Sequence, residues 1–157
     1  MRRERVQYVR RTRRRGSAIV EFALSFGFLF SVFAGIFQFG YAYFVYNQLE
    51  NAVRGGARYA SLADYDSLTE TPSVTFETAV RNMVLYGNPG GTGSAIVPAL
   101  SASNITVTAT MERRVPATVS VMINGYRLDA VVTSIVLDRK PKVTFPYMGR
   151  FAPPPAE

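Results

Sequence analysis

The chain has 157 residues, with 18 Lys and Arg against 11 Asp and Glu, and the whole surplus lies at one end: residues 1–15 hold eight arginines and one glutamate, and the rest is formally neutral. It contains neither His nor Cys, which excludes a Ser-His-Asp triad, a cysteine nucleophile, His or Cys zinc sites and any disulfide framework. A pI of about 10.1 ordinarily points to nucleic acid, but that needs basic charge spread over a folded face, and here it is a short tail.

From Phe22 to Leu49 no residue is charged, and eight of the eleven Phe fall between Phe22 and Phe44. This exceeds the ~18 apolar residues that mark a candidate membrane span. At about 1.5 Å per residue, Phe22 to Gly40 rises close to the ~30 Å of a bilayer's hydrocarbon. Tyr41, Tyr43 and Tyr46 then fall at the depth of an aromatic belt. Arginines before the span, Arg11, Arg13, Arg14 and Arg15 among them, set the orientation by the positive-inside rule: a cytoplasmic N-terminus, with residues from about 47 onward outside. The tail is therefore read as topogenic, with the lipid bilayer as its partner. No nucleic-acid partner is expected.

At the junction, a basic run meets Gly16, and a lone carboxylate, Glu21, stands inside the apolar segment. A charge within a membrane helix costs about 2.5–3.5 kcal/mol on insertion scales, so Glu21 needs a partner. A cut between Gly16 and Ser17 would create an α-ammonium one helical turn from it, and a neighbouring subunit's amine would serve equally well. The cut would also discard the basic tail and leave Glu21 in the first turn, where the helix dipole favours negative charge. Ala23, Gly27, Ser31 and Gly35 place a small residue at every fourth position, a stripe that lets helix backbones approach in lipid.

The string RRRGSAIVEFALSF, the long apolar helix and AVRGGARYA from Ala52 to Ala60 together resemble the class III signal peptides of type IV pilins and, more closely, the TadE-like minor pilins of tight adherence (Tad) pili. The resemblance implies cleavage after Gly16 by a prepilin peptidase, with Ser17 as first mature residue. It also implies a bacterial inner-membrane location and, as partners, other pilin subunits and the pilus assembly platform. The alternative is an uncleaved single-pass protein with an external interaction domain, acting as assembly factor or adhesin. Neither an enzyme nor a cofactor is expected.

Beyond the span, Leu49, Ala52, Val53, Gly56 and Ala60 share one helical face while Glu50, Arg54 and Arg58 stack on another. Gly55-Gly56 could bend this stem. Residues 61–72 read as a polar connection, and Asp64, Asp66, Glu70 and Glu77 within and after it lack the spacing of a calcium loop. A second helix is predicted over Val74–Tyr86, with Phe76, Val80, Met83 and Val84 inward and Gly87 and Pro89 as stop signals. GNPGGTGS (Gly87–Ser94) lacks the lysine of a phosphate loop and reads as a flexible connection. Asn104-Ile105-Thr106 has the form of a glycosylation acceptor.

Alternation then begins, with Ile105, Val107, Ala109 and Met111 on one side. Val115, Ala117, Val119, Val121 and Ile123 repeat it, although Pro116 demands an edge or irregular position. Arg113-Arg114 reads as a solvent-facing turn. Asn124-Gly125 is the strongest short hairpin signal, with Tyr126, Leu128, Ala130 and Val132 resuming beyond it. A last strand is predicted over Lys142–Tyr147. The fold class is α+β, pilin-like: a long N-terminal hydrophobic helix, a second helix and an antiparallel sheet of three to four strands. The corresponding layout is a leader at 1–16, a transmembrane and assembly helix at 17–46, an extracytoplasmic α+β domain at 47–150 and a Pro-rich tail at 151–157.

Overall fold

Gly55-Gly56 does not interrupt the stem. A computed structural model, which describes residues 13–130 and 133–153, contains one uninterrupted helix, α1 (Arg13–Leu62). The chain divides into two compact units, Met1–Phe39 and Gly40–Glu157, and α1 contributes to each.

In the first unit the described residues are helical, and its seven Phe from Phe22 to Phe39 are 56–75% exposed. Phe22, Phe26 and Phe30 stack in a ladder with ring centroids 6.0 and 6.2 Å apart, as i,i+4 spacing on one helical face dictates.

The second unit holds the core. From α1 it takes Val45, Leu49, Val53, Ala57 and Ala60, all almost fully buried, spaced three to four apart as a helix with one inward face requires. Helix α2 (Val74–Tyr86) begins where Ser73 Oγ accepts from the N–H of Phe76 and ends where Gly87 turns left-handed at φ 75°, donating to Met83 O. Its buried residues are Phe76, Val80, Val84 and Leu85, with Met83 only half-buried. The two helices meet at Gly56, where an added Cβ would overlap Val84 Cγ2. Glycine here is a packing requirement and not a hinge, and the cost of about 1 kcal/mol in propensity is offset by the close approach.

A three-stranded antiparallel sheet has the order β1 (Ile105–Glu112), β2 (Val115–Ile123), β5 (Lys142–Pro146). Ile105 faces Ile123, Val107 faces Val121 and Ala109 faces Val119, while Val121 and Val119 also face Val143 and Phe145. Directly opposed residues share a face, so this register builds one apolar side against the helices. On the other side Thr110 and Thr118 are hydrogen-bonded at 2.6 Å, and Ser120 and Thr144 at 2.7 Å. A bulge between Thr110 and Met111 resets the alternation, which buries Pro116 and leaves Val115 exposed. Pro116 thus occupies the irregular position its missing N–H requires.

The sheet corrects the sequence reading in one respect. Asn124-Gly125 does not close a hairpin with β2: β3 (Tyr126–Asp129) pairs instead with β4 (Ser134–Leu137) in a separate two-stranded sheet, and β2 gives its second edge to β5. The two-residue hairpin loop is Arg113-Arg114, between β1 and β2, with φ of 52° and 65°, the positive values that a primed turn demands. Asn124 is held elsewhere. Its Nδ2 donates to Thr106 Oγ1 at 2.8 Å, and its Oδ1 accepts from the N–H of Arg139 at 3.2 Å. Val132, expected on the inward face beyond Gly125, lies outside the described residues.

The connection after α1 is tied to the C-terminal segment. Tyr65, fully buried, donates its backbone N–H to Arg150 O at 2.9 Å and accepts at its own O from Ala152 N–H at 2.9 Å. Tyr147 Oη accepts from Tyr65 N–H at 2.9 Å and reaches Ala63 O and Arg150 O at 2.8 and 2.7 Å. The rings of Phe76 and Tyr147 stand edge-on to Tyr65, 5.2 and 6.0 Å away.

Candidate functional site: the exposed apolar helix

α1 from Gly16 to Gly40 carries the residues that the sequence singles out. Gly16, Ser17 and Glu21 are exposed and lie on successive turns of its first part. Ala23, Gly27 and Ser31 are exposed and Gly35 is half-buried. A Cβ placed on Gly16, Gly27 or Gly35 would meet nothing within 4 Å, so nothing among the described residues requires glycine at these positions. Ser31 Oγ donates to Gly27 O at 2.8 Å, which satisfies the hydroxyl inside the helix and leaves the stripe smooth. The Phe22–Phe26–Phe30 ladder runs one residue before Ala23, Gly27 and Ser31. One helical strip is therefore a ridge of rings and the next a shallow groove. Arg11 lies outside the described residues, and of Arg13, Arg14 and Arg15 only the helical backbone is described.

Gly16–Leu62 is long and apolar enough to cross a membrane, and none of its most apolar window is buried. A run of bare Phe side chains this long is incompatible with water as the only surrounding. The helix therefore defines a membrane-anchored protein whose second unit has its own α+β core. Residues 16–58 match the family described as TadE-like protein, so the chain is similar to that family over most of α1. Among curated proteins nothing matches, and no solved structure matches either.

The remaining polar motifs resolve into structural roles. Glu77 is ion-paired with Arg81 at 2.6 Å, and no group of three or more metal-capable side chains occurs among the described residues. Asp66 lies with Asp64 in an open cleft of about 480 Å³ between the end of α1 and Phe76, and its buried Oδ1 has no hydrogen-bond partner among the described residues. Asn104 is fully engaged: Oδ1 accepts from Ser101 N–H and Oγ at 3.2 and 2.7 Å, and Nδ2 donates to Asn124 O at 3.0 Å. The glycine-rich loop is organised by asparagines, with Asn82 Nδ2 donating to Pro89 O at 3.1 Å and the Asn88 side chain bonded to the backbone of Thr92.

Three tyrosines have raised pKa values. Burial is the main cause for each; Tyr65 is also pushed up by Asp66 and Glu70, Tyr126 by Tyr41 and Asp129, and Tyr147 by Asp64 and Asp66. They are hydrogen-bonding members of the core, and sequence pattern did not single out Tyr65 or Tyr147 for such a role.

Proposed function

We propose that this protein is a minor pilin or pseudopilin of a Tad pilus, cleaved after Gly16 by a prepilin peptidase and acting in pilus assembly or priming through α1. The observation that carries the reading is the coincidence of the TadE-like match, which opens at Gly16, with a helix whose Phe ridge and small-residue strip have no partner among the described residues. Cleavage leaves Ser17 as the first residue, and its ammonium, or that of a neighbouring subunit, neutralises Glu21 and fixes axial register. Ala23, Gly27, Ser31 and Gly35 admit the adjacent helix, where packing in lipid rests on close backbone approach. The arginines, including Arg11, Arg13, Arg14 and Arg15, hold the precursor with its N-terminus cytoplasmic in the bacterial inner membrane and are removed with the leader. The protein's role on this reading is assembly and not catalysis.

Intact mass after co-expression with a prepilin peptidase tests the proposal. A product beginning at Ser17 is expected. Retention of residues 1–16 would instead assign the chain to the uncleaved single-pass class.

A further inference from the structure

Three segments converge at the end of the second unit that carries Tyr41 to Tyr46. Tyr41 and Val45 line a cleft with Leu128 and Asp129 of β3. Tyr46 and Glu50 line another with Arg139, Lys140 and Lys142. Tyr41 directly follows the segment read as the span, so this is the end at which the chain enters the second unit.

The surface there combines apolar and basic side chains. On β4, Ile135 is 38% and Val136 63% exposed, and among the described residues β4 pairs only with β3. Val136 stands opposite Arg127 in the register, so both share the outer face. Arg139, Lys140 and Lys142 follow immediately and are exposed, against the single exposed carboxylate Asp138 in residues 134–143. Asp129 is occupied by Arg127 at 2.7 Å, and Glu50 by Arg54 at 2.8 Å. In a body with as many acidic as basic residues, this end is locally cationic. An apolar edge strand exposed to water is a hazard that folds normally cover, and a basic rim around apolar side chains is the composition of surfaces that lie in the membrane interface.

We propose that β4 and the Arg139–Lys142 loop form a second membrane contact, seated on anionic lipid headgroups of the same bilayer that α1 enters. Val136 dips into the headgroup boundary while Arg139, Lys140 and Lys142 meet lipid phosphates. This inference rests on the reading of residues 22–40 as a span, and the test separates the two.

The chain has no cysteine, so single-cysteine labelling is unambiguous. An environment-sensitive fluorophore is placed at Val136→Cys, Phe30→Cys or Val115→Cys in the full chain, reconstituted in phosphatidylcholine nanodiscs with or without phosphatidylglycerol. Val115 adjoins the β1–β2 turn, eight residues along β2 from Ile123, or roughly 26 Å at ~3.3 Å per residue. The position-136 probe is expected to shift to the blue and be quenched by lipid-attached nitroxide in anionic discs. The shift should be lost in phosphatidylcholine alone and in K140E/K142E, while position 115 stays wet. A water-exposed probe at 136 with a lipid-quenched probe at 30 overturns this inference and leaves the span intact. A wet probe at 30 overturns both. A blue shift at 136 that depends on protein concentration and not on lipid charge would assign the β4 edge to a second copy of the chain and overturn the proposal.

Discussion

Gly56 and Val84 compete for the same space: the methyl that alanine would add at position 56 falls on Val84 Cγ2, in a site where Val84 is fully buried. Gly55, its neighbour, has nothing within 4 Å of its own Cβ position. Gly55→Ala should therefore raise stability by up to about 1 kcal/mol through helix propensity. Gly56→Ala should lower it by about 1–3 kcal/mol through overpacking. Chemical denaturation of the detergent-solubilised chain, followed by tyrosine fluorescence, reads both. Opposite signs at adjacent glycines are the signature of helix contact, and Val84→Ala should reduce the Gly56→Ala penalty.

The tyrosine cluster predicts a direction of pH dependence. Tyr65, Tyr126 and Tyr147 have folded-state pKa values raised above the ordinary 10.0, chiefly by burial. Their neutral forms are favoured by folding. The associated stability is fully present below pH 10 and is lost as pH rises through the folded-state values. Unfolding should become easier above pH 10, and absorbance titration at alkaline pH should show a late-ionising class of tyrosines that disappears on denaturation. A single class at the ordinary value would contradict this.

Tyr147 links the end of α1 to the C-terminal segment through its hydroxyl. Tyr147→Phe keeps the ring beside Tyr65 but removes one of the two acceptors of Tyr65 N–H and the contact to Ala63 O. A loss of about 0.5–1.5 kcal/mol is expected, because Tyr65 N–H keeps Arg150 O as an acceptor. Amide hydrogen exchange at Tyr65 should quicken more than exchange in β2.

Asn124 holds the crossing between the two sheets, and Gly125 adopts φ 62°. Asn124→Ala should cost about 1–2 kcal/mol for two lost hydrogen bonds. Gly125→Ala should cost about 1–2 kcal/mol for the left-handed conformation. Thermal melts of the two variants check both values.

For the proposed assembly role, Gly16→Leu should leave membrane insertion intact and block maturation, whereas Glu21→Ala should be cleaved but incorporated poorly into fibres. Fractionation with mass measurement reads the first, and immunodetection in sheared pili reads the second. Normal incorporation of Glu21→Ala would remove the amine-pairing role.

The elements governed by local signals were legible in the sequence. α2 ends at Tyr86 because Gly87 caps it, β1 follows its apolar alternation, and β5 lies where the last alternation falls. Sheet partnership was not legible. Asn124-Gly125 has the composition of a hairpin turn, but its side chain bonds to Thr106 and to the Arg139 backbone, and β5 takes the edge that β3 would have used. Such competition between distant segments leaves no local trace. The exposed helix was readable because its chemistry lies in consecutive residues; the basic and apolar surface beside Tyr41 was not, because Arg127, Val136 and Lys142 meet it only after folding.

α1 also supplies Leu49, Val53, Ala57 and Ala60 to the interior of the second unit, each without solvent exposure. A protease cutting inside that stretch would not shed an intact head: it would extract the central strut and leave the sheets without their apolar backing. Release of the second unit with its core intact therefore requires a scission upstream of Val45.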